Sequence, residues 1–117
     1  MTQEDKQLLL VDLCGRLPYG VMVHFDGWNA EKLTQVDLRE FIFNDMGGIP
    51  IPYLRPMSSM TEEEKEQWLW LTNDSGWGVT ERMVKECIDF LNKNMFDFRG
   101  LIPKGRAIST EEFNPYK

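Results

Sequence analysis

One histidine, two cysteines and no apolar run longer than the four residues from Leu8 to Val11 leave little for the commonest kinds of site and membrane chemistry. A bilayer span needs about 20 consecutive apolar residues, so no transmembrane helix is expected. A secretory signal is not expected either, because Glu4 and Asp5 stand where a basic start would be needed and the apolar run behind them is too short. Cys14 and Cys87 stand alone in apolar settings, which reads as buried free thiols. Neither belongs to a CxxC pair, and with a single histidine a four-ligand zinc site cannot be assembled. Basic blocks are missing as well. The formal charge is −6, distributed as −3 over residues 1–59, −4 over 60–95 and +1 over 96–117. Nonspecific duplex binding draws its free energy from phosphate neutralisation and counterion release, for which this balance is poorly suited.

What is present fits one domain spanning residues 1–117, small, soluble and cytoplasmic, with 42% hydrophobic and 27% charged residues. Leu9, Leu10, Leu13 and Cys14 fall on one helical face, so a first helix is predicted over 3–14, capped by Gly15. Leu17-Pro18-Tyr19-Gly20 reads as an extended turn, and Val21, Val23 and Phe25 alternate with Met22 and His24 as a strand. Asp26-Gly27 signals a hairpin with a long connection. Leu33 to Phe43 reads as two short strands broken near Arg39-Glu40, and Asn44 to Pro52 as a loop. Pro52-Tyr53-Leu54-Arg55-Pro56 runs extended and is the candidate edge strand.

Thr61 and Glu64 match a capping box opening a second helix over about 62–72, with Glu62, Glu63 and Glu64 complementing the helix dipole. Asn73 to Gly78 stops it. Thr80 caps a third helix through Asn94, with Met83, Val84, Cys87, Ile88 and Leu91 as its core stripe. Phe96 to Ile102 is extended, and the tail after about 108 is polar and loose. The order implies an α+β fold, a small antiparallel sheet of three to four strands packed against about three helices on one face.

Catalytic constellations fare poorly in this reading. His24 sits mid-strand and reads as a solvent-facing or satisfied structural residue; its nearness in sequence to Cys14 and Asp26 does not bring the three together in space. Glu62, Glu63, Glu64 and Glu66 are explained by the helix start. The oxygen-rich turns at Asp26–Glu31 and Asn73–Gly76 lack a calcium loop's spacing. Asn73-Asp74-Ser75 spells a glycosylation sequon that has no use without secretion. Gly47-Gly48 and Gly76-Trp77-Gly78 lack the remaining residues of a phosphate loop, so no nucleotide, metal or other cofactor is expected.

Aromatics carry the remaining interest. Trp68 and Trp70, two apart on a helix, cannot both face the same core, and Trp28 and Trp77 fall in predicted loops, so at least one tryptophan is expected to be partly exposed. Exposed Trp and Tyr beside Arg are enriched in binding hot spots. Tyr53, Leu54, Arg55, Trp70, Trp77 and Arg99 therefore form the candidate interaction surface, with an extended edge open to strand addition. The expected function is that of a nonenzymatic protein-interaction or accessory domain with an unidentified protein partner and no membrane. The second class left open is a nucleic-acid-binding protein, using Arg55, Arg99, Lys104 and Arg106 with stacked aromatics, or an acidic nucleic-acid mimic.

Asp12-Leu13-Cys14-Gly15-Arg16-Leu17-Pro18-Tyr19-Gly20-Val21, Tyr53 through Glu64, and Phe90-Leu91-Asn92-Lys93-Asn94 with Phe96 to Ile102 resemble, in the same order, a family of short uncharacterised proteins of gut anaerobic bacteria and their phages or prophages. The resemblance implies an intracellular bacterial setting associated with phages or mobile elements. It supplies no activity, cofactor or catalytic residue. The stretch from Asn73 to Val79 and the segment Gly105-Arg106-Ala107-Ile108 look less typical of it.

Overall fold

The structure, a computed structural model, describes residues 2–25, 30–43, 48–72 and 81–116. Helix α1 (Gln3–Arg16) starts where Thr2 Oγ1 accepts the amide of Asp5 at 3.1 Å, and Glu4, Asp5 and Arg16 each complement the nearer end of its dipole. The helix does not stop at Gly15. That glycine lies inside it, close to the side chain of Asn92; a Cβ there would sit 3.0 Å from Asn92 Nδ2. The left-handed turn comes instead at Gly20, φ 75°, after a 3₁₀ turn over Leu17–Tyr19.

Strand β1 (Met22–His24) pairs antiparallel with β2 (Glu31–Lys32) and with β3 (Ile51–Leu54), and β4 (Ile108–Ser109) pairs parallel with β3. The sheet order is β2-β1-β3-β4, so the fold is α+β as expected, but the sheet is mixed rather than antiparallel. The tail expected to be loose supplies its fourth strand. A further parallel bridge joins Arg55 to Phe96 through Arg55 N to Met95 O at 2.7 Å and Asp97 N to Arg55 O at 2.8 Å.

Residues read as two strands form helix α2 (Gln35–Phe43). Thr34 and Asp37 bond reciprocally, side chain to amide, at 3.0 and 3.1 Å. That cap fixes the first turn, and it places Leu38 and Phe41, three residues apart, in the core, so helical spacing overrides the β-branched composition. Helix α3 (Glu62–Thr72) and helix α4 (Glu81–Lys93) follow, so that the described residues contain four α-helices where about three were expected. The predicted capping box is in place: Thr61 N donates to Glu64 Oε1 at 2.9 Å and Glu64 N to Thr61 Oγ1 at 3.2 Å. On α4 the buried residues are Phe90, Leu91 and Asn92, while Val84 and Ile88 of the expected core stripe are exposed. The Asp26-Gly27 hairpin turn, the Asn73–Gly78 stop, the Thr80 cap and Trp77 lie outside the described residues.

Two apolar clusters hold these elements. Leu9 and Leu13 of α1 meet Val21, Val23, Leu33, Leu38, Phe41, Leu54, Met95 and Leu101 in the main core. Phe90, Leu91 and Phe96 form a second, with Met60, Trp68 and Leu71 packed on it. Trp68, Phe90 and Phe96 stack in sequence, with centroids 5.9 and 6.1 Å apart.

Between the clusters runs a buried ionic group. Arg16 donates from Nε and Nη2 to the two carboxylate oxygens of Asp12, both at 3.0 Å, and to the carbonyls of Leu91 and Phe96. Arg99 adds a third bond to Asp12 Oδ1 at 2.7 Å, its guanidinium lying 4.1 Å from the centroid of the Phe98 ring. Asp12 and Arg16 are wholly buried. Charges taken out of water this completely must be matched by partners, and here one carboxylate serves two guanidiniums while the carbonyls of Leu91 and Phe96 accept two further N–H groups of Arg16.

Candidate interaction surface

Of the six residues expected to form a surface, the five that are described do not come together as one. Tyr53 and Leu54 are interior, at 5% and 0% exposure, because β3 is flanked by β1 on one side and β4 on the other. The edge open to strand addition is therefore absent: the segment after Ile108, through β4 and the bond from Thr110 N to Leu54 O, occupies it.

Arg55 is committed as well. Its Nη1 and Nη2 donate to Glu64 Oε2 and Oε1, each at 2.7 Å, Nη2 also reaches Ser59 O at 3.0 Å, and the guanidinium lies 4.2 Å from the centroid of the Phe96 ring. The same Glu64 carboxylate that closes the capping box thus ties α3 to the end of β3. Arg55, and then the Thr61 bonds, hold its carboxyl down at about 2 against the opposing pull of burial. Arg99 is consumed by Asp12, and Arg106 lies 3.6 Å from Asp5. Three of the four basic groups considered for nucleic acid are ion-paired; Lys104 is exposed.

Trp70 alone of the six is a surface residue among those described, 75% exposed. The two-residue spacing separates it from Trp68, which turns onto Phe90. Leu69 beside it is 57% exposed, and α3 buries none of its residues fully. Its inward side consists of Glu64, Trp68 and Leu71, at helical spacing, and these are only partly covered by Arg55 and the second cluster. That Trp68 and Trp70 part company was legible from spacing alone, whereas the ion pairs of Arg55 and Arg99 depend on acidic partners 9 and 87 residues away.

A groove of about 640 Å³ opens on another part of the molecule, between Tyr19, Arg55, Lys93, Asn94, Thr110 and Tyr116. Its walls mix polar side chains with a larger share of apolar surface, and the charge of Arg55 there is already met by Glu64. Tyr116 Oη accepts from Met22 N at 3.0 Å and donates to Tyr53 O at 2.8 Å, and burial of this hydroxyl pushes its pKa up to about 12.

Among the described residues the nucleophiles and the single histidine stand apart. His24 is half-buried with Nδ1 3.4 Å from the Tyr53 hydroxyl. Cys14 is exposed rather than buried, since α1 turns Leu9, Leu13 and Arg16 inward and leaves Cys14 on its outer side. Cys87 is half-buried, and burial followed by the charge of Glu86 raises its pKa, which disfavours the thiolate. Among the described residues no group of three or more His, Cys, Asp and Glu side chains is arranged to hold a metal ion, and no helix is long and apolar enough to cross a membrane. No family model, curated protein or solved structure matches the chain.

Proposed function

We propose that the chain is a nonenzymatic protein-interaction or accessory domain whose contact surface is the outward side of α3, centred on Leu69 and Trp70. The observation that carries this reading is an 11-residue helix with no fully buried residue that leaves a tryptophan 75% exposed. Burying apolar area is worth about 25 cal/mol per Å², and a tryptophan left in water forgoes more of it than most side chains unless a partner covers it. The helix is nevertheless held firmly, by Glu64 to Arg55 and by Trp68 on Phe90, so its outer residues are presented on a fixed frame. The setting proposed for that partner is the bacterial cytoplasm or a phage infecting it, on the strength of the resemblance of the three sequence blocks.

Affinity capture of the tagged chain from native lysate, with nuclease present, tests the reading when wild type is compared with Trp70→Ala. A nuclease-resistant partner that is retained by wild type and lost by the variant, at equal melting temperature, is expected. Identical captures from both proteins would sink it.

A further inference from the structure

The outward side of α3 has a charge pattern as well as an apolar end. At 3.6 residues per turn, Glu62, Glu66, Leu69 and Trp70 lie opposite the inward Glu64, Trp68 and Leu71, with Glu63 on the same flank as Trp70 about two turns away. Glu66 stands three residues before Leu69 and four before Trp70, so its carboxylate neighbours both. Glu62, Glu63 and Glu66 are all exposed. Lys65 reaches Glu62 at 3.4 Å, and among the described residues no salt bridge neutralises Glu63 or Glu66. Dipole stabilisation accounts for acids in the first turn; it accounts neither for Glu66 beyond that turn nor for the exposed indole next to it.

We infer that α3 receives a basic amphipathic segment of a partner protein, with Lys or Arg side chains over Glu62, Glu63 and Glu66 and aliphatic side chains against Leu69 and Trp70. The inference rests on the interaction reading above and specifies its partner. Charge complementarity selects this occupant over the others. A second copy meeting α3 face to face would set carboxylates against carboxylates if parallel and against Leu69 and Trp70 if antiparallel, supplying no cation in either case, and nucleic acid or an anionic lipid surface would meet direct repulsion. A basic helix instead gains attraction along the acidic half and buries Trp70 at the other, the anchor-and-rim arrangement of helix recognition.

Three fluorescein-labelled helical peptides of about 18 residues serve as probes: Lys/Leu amphipathic, Glu/Leu amphipathic, and Lys/Gln, equally basic but without an apolar side. Anisotropy titrations use the full chain as wild type, Trp70→Ala, Glu62→Lys/Glu66→Lys, and Glu111→Lys/Glu112→Lys as a charge-matched control elsewhere on the surface. All the substituted side chains are exposed, and melting temperatures check that each variant folds. The Lys/Leu peptide is expected to bind wild type and the control alike, to weaken at least about tenfold on Trp70→Ala and on the α3 charge reversal, and to weaken as salt rises. The charge reversal is expected to admit the Glu/Leu peptide. The inference is overturned if no Lys/Leu binding occurs, or if it is the same in all four proteins or matched by Lys/Gln, for then only net charge is being read. Trp70-dependent binding of Glu/Leu to wild type would overturn the basic partner while leaving α3 as the contact surface. Trp70-dependent self-association, read by sedimentation, would replace the partner with a second copy. If captures from lysate are also indifferent to Trp70, the interaction reading fails with it.

Discussion

The hydroxyl of Tyr116 completes a rung of the sheet that Tyr53 does not make with β1 directly. Val23 faces Pro52 and His24 faces Ile51, so the next pair in register is Met22 and Tyr53. Between them stands the Tyr116 oxygen, accepting from Met22 N and donating to Tyr53 O. A side chain from the end of the chain thereby substitutes for a backbone bond, and Phe113, whose ring centroid lies 5.6 Å from that of Tyr53, holds the same segment down. Tyr116→Phe keeps the ring and removes the bridge, leaving a donor and an acceptor unpaired. A loss of about 1 to 3 kcal/mol is expected, lowering the melting temperature by roughly 4 °C per kcal/mol. Thermal unfolding followed by circular dichroism checks this.

Two titrations bracket the pH range of full stability. Glu64 is held at about 2 in the folded chain, mainly by Arg55, against an ordinary 4.5. A lowered carboxyl pKa contributes stability that is present above about 4.5 and is lost as pH falls towards 2. Tyr116 is raised to about 12 from 10, so its contribution is whole below pH 10 and disappears between 10 and 12. In urea unfolding, the gap between wild type and Glu64→Gln is expected to narrow from pH 6 to pH 3. The gap to Tyr116→Phe is expected to narrow only above pH 10. Gaps that do not change with pH would contradict both assignments.

Asp12 holds the buried Arg16 and the partly buried Arg99, and among the described residues no other acid is paired with them. Asp12→Asn preserves the shape and removes the charge, leaving Arg16 buried without its counterion. A cost of about 3 to 5 kcal/mol is expected, a large share of the total for a domain of this size. The midpoint of urea unfolding is the measurement.

Trp68 and Trp70 are expected to respond oppositely to the same substitution. Trp68→Ala removes a ring stacked on Phe90 and is expected to cost about 3 kcal/mol. Trp70→Ala removes an exposed ring and is expected to change stability by no more than about 0.5 kcal/mol while weakening partner binding. Melting curves paired with capture experiments separate the two roles.

Gly15 tests the contact between α1 and α4. Its Cβ would meet Asn92 Nδ2 at 3.0 Å, and Asn92 is buried at 4% exposure with little room to retreat. Alanine favours a helix interior over glycine by about 1 kcal/mol, so a destabilised Gly15→Ala would show that the clash outweighs propensity. Destabilisation is the expected result, and Gly15→Ala combined with Asn92→Ala is expected to recover part of it.

Local chemistry along the chain was sufficient for β1 and α3, through the alternation of Val21 with Val23 and the capping box of Thr61 with Glu64, and for the existence of α1 and α4, through the helical spacing of their apolar residues. It was misleading for α2, where Val36, Phe41, Ile42 and Phe43 suggest strands, although Thr34 and Asp37, three apart before Leu38, are a capping signal that could have settled it. The separation of Trp68 from Trp70 followed from helix geometry before any contact was known.

Contacts distant in sequence decided the rest. No local pattern makes Arg55 a strut, Arg99 a counterion for Asp12, or Tyr116 a rung between β1 and β3; each depends on a partner supplied by another element. The parallel pairing of β4 with β3 is of the same kind, since two residues carry no register until Tyr53 and Leu54 stand beside them. Secondary structure here was written in spacings of two, three and four residues, which a chain has wherever it folds. Which polar groups become interior, and which tryptophan is left outside, depended on packing, because a charge or a ring is worth burying only where another part of the chain meets it.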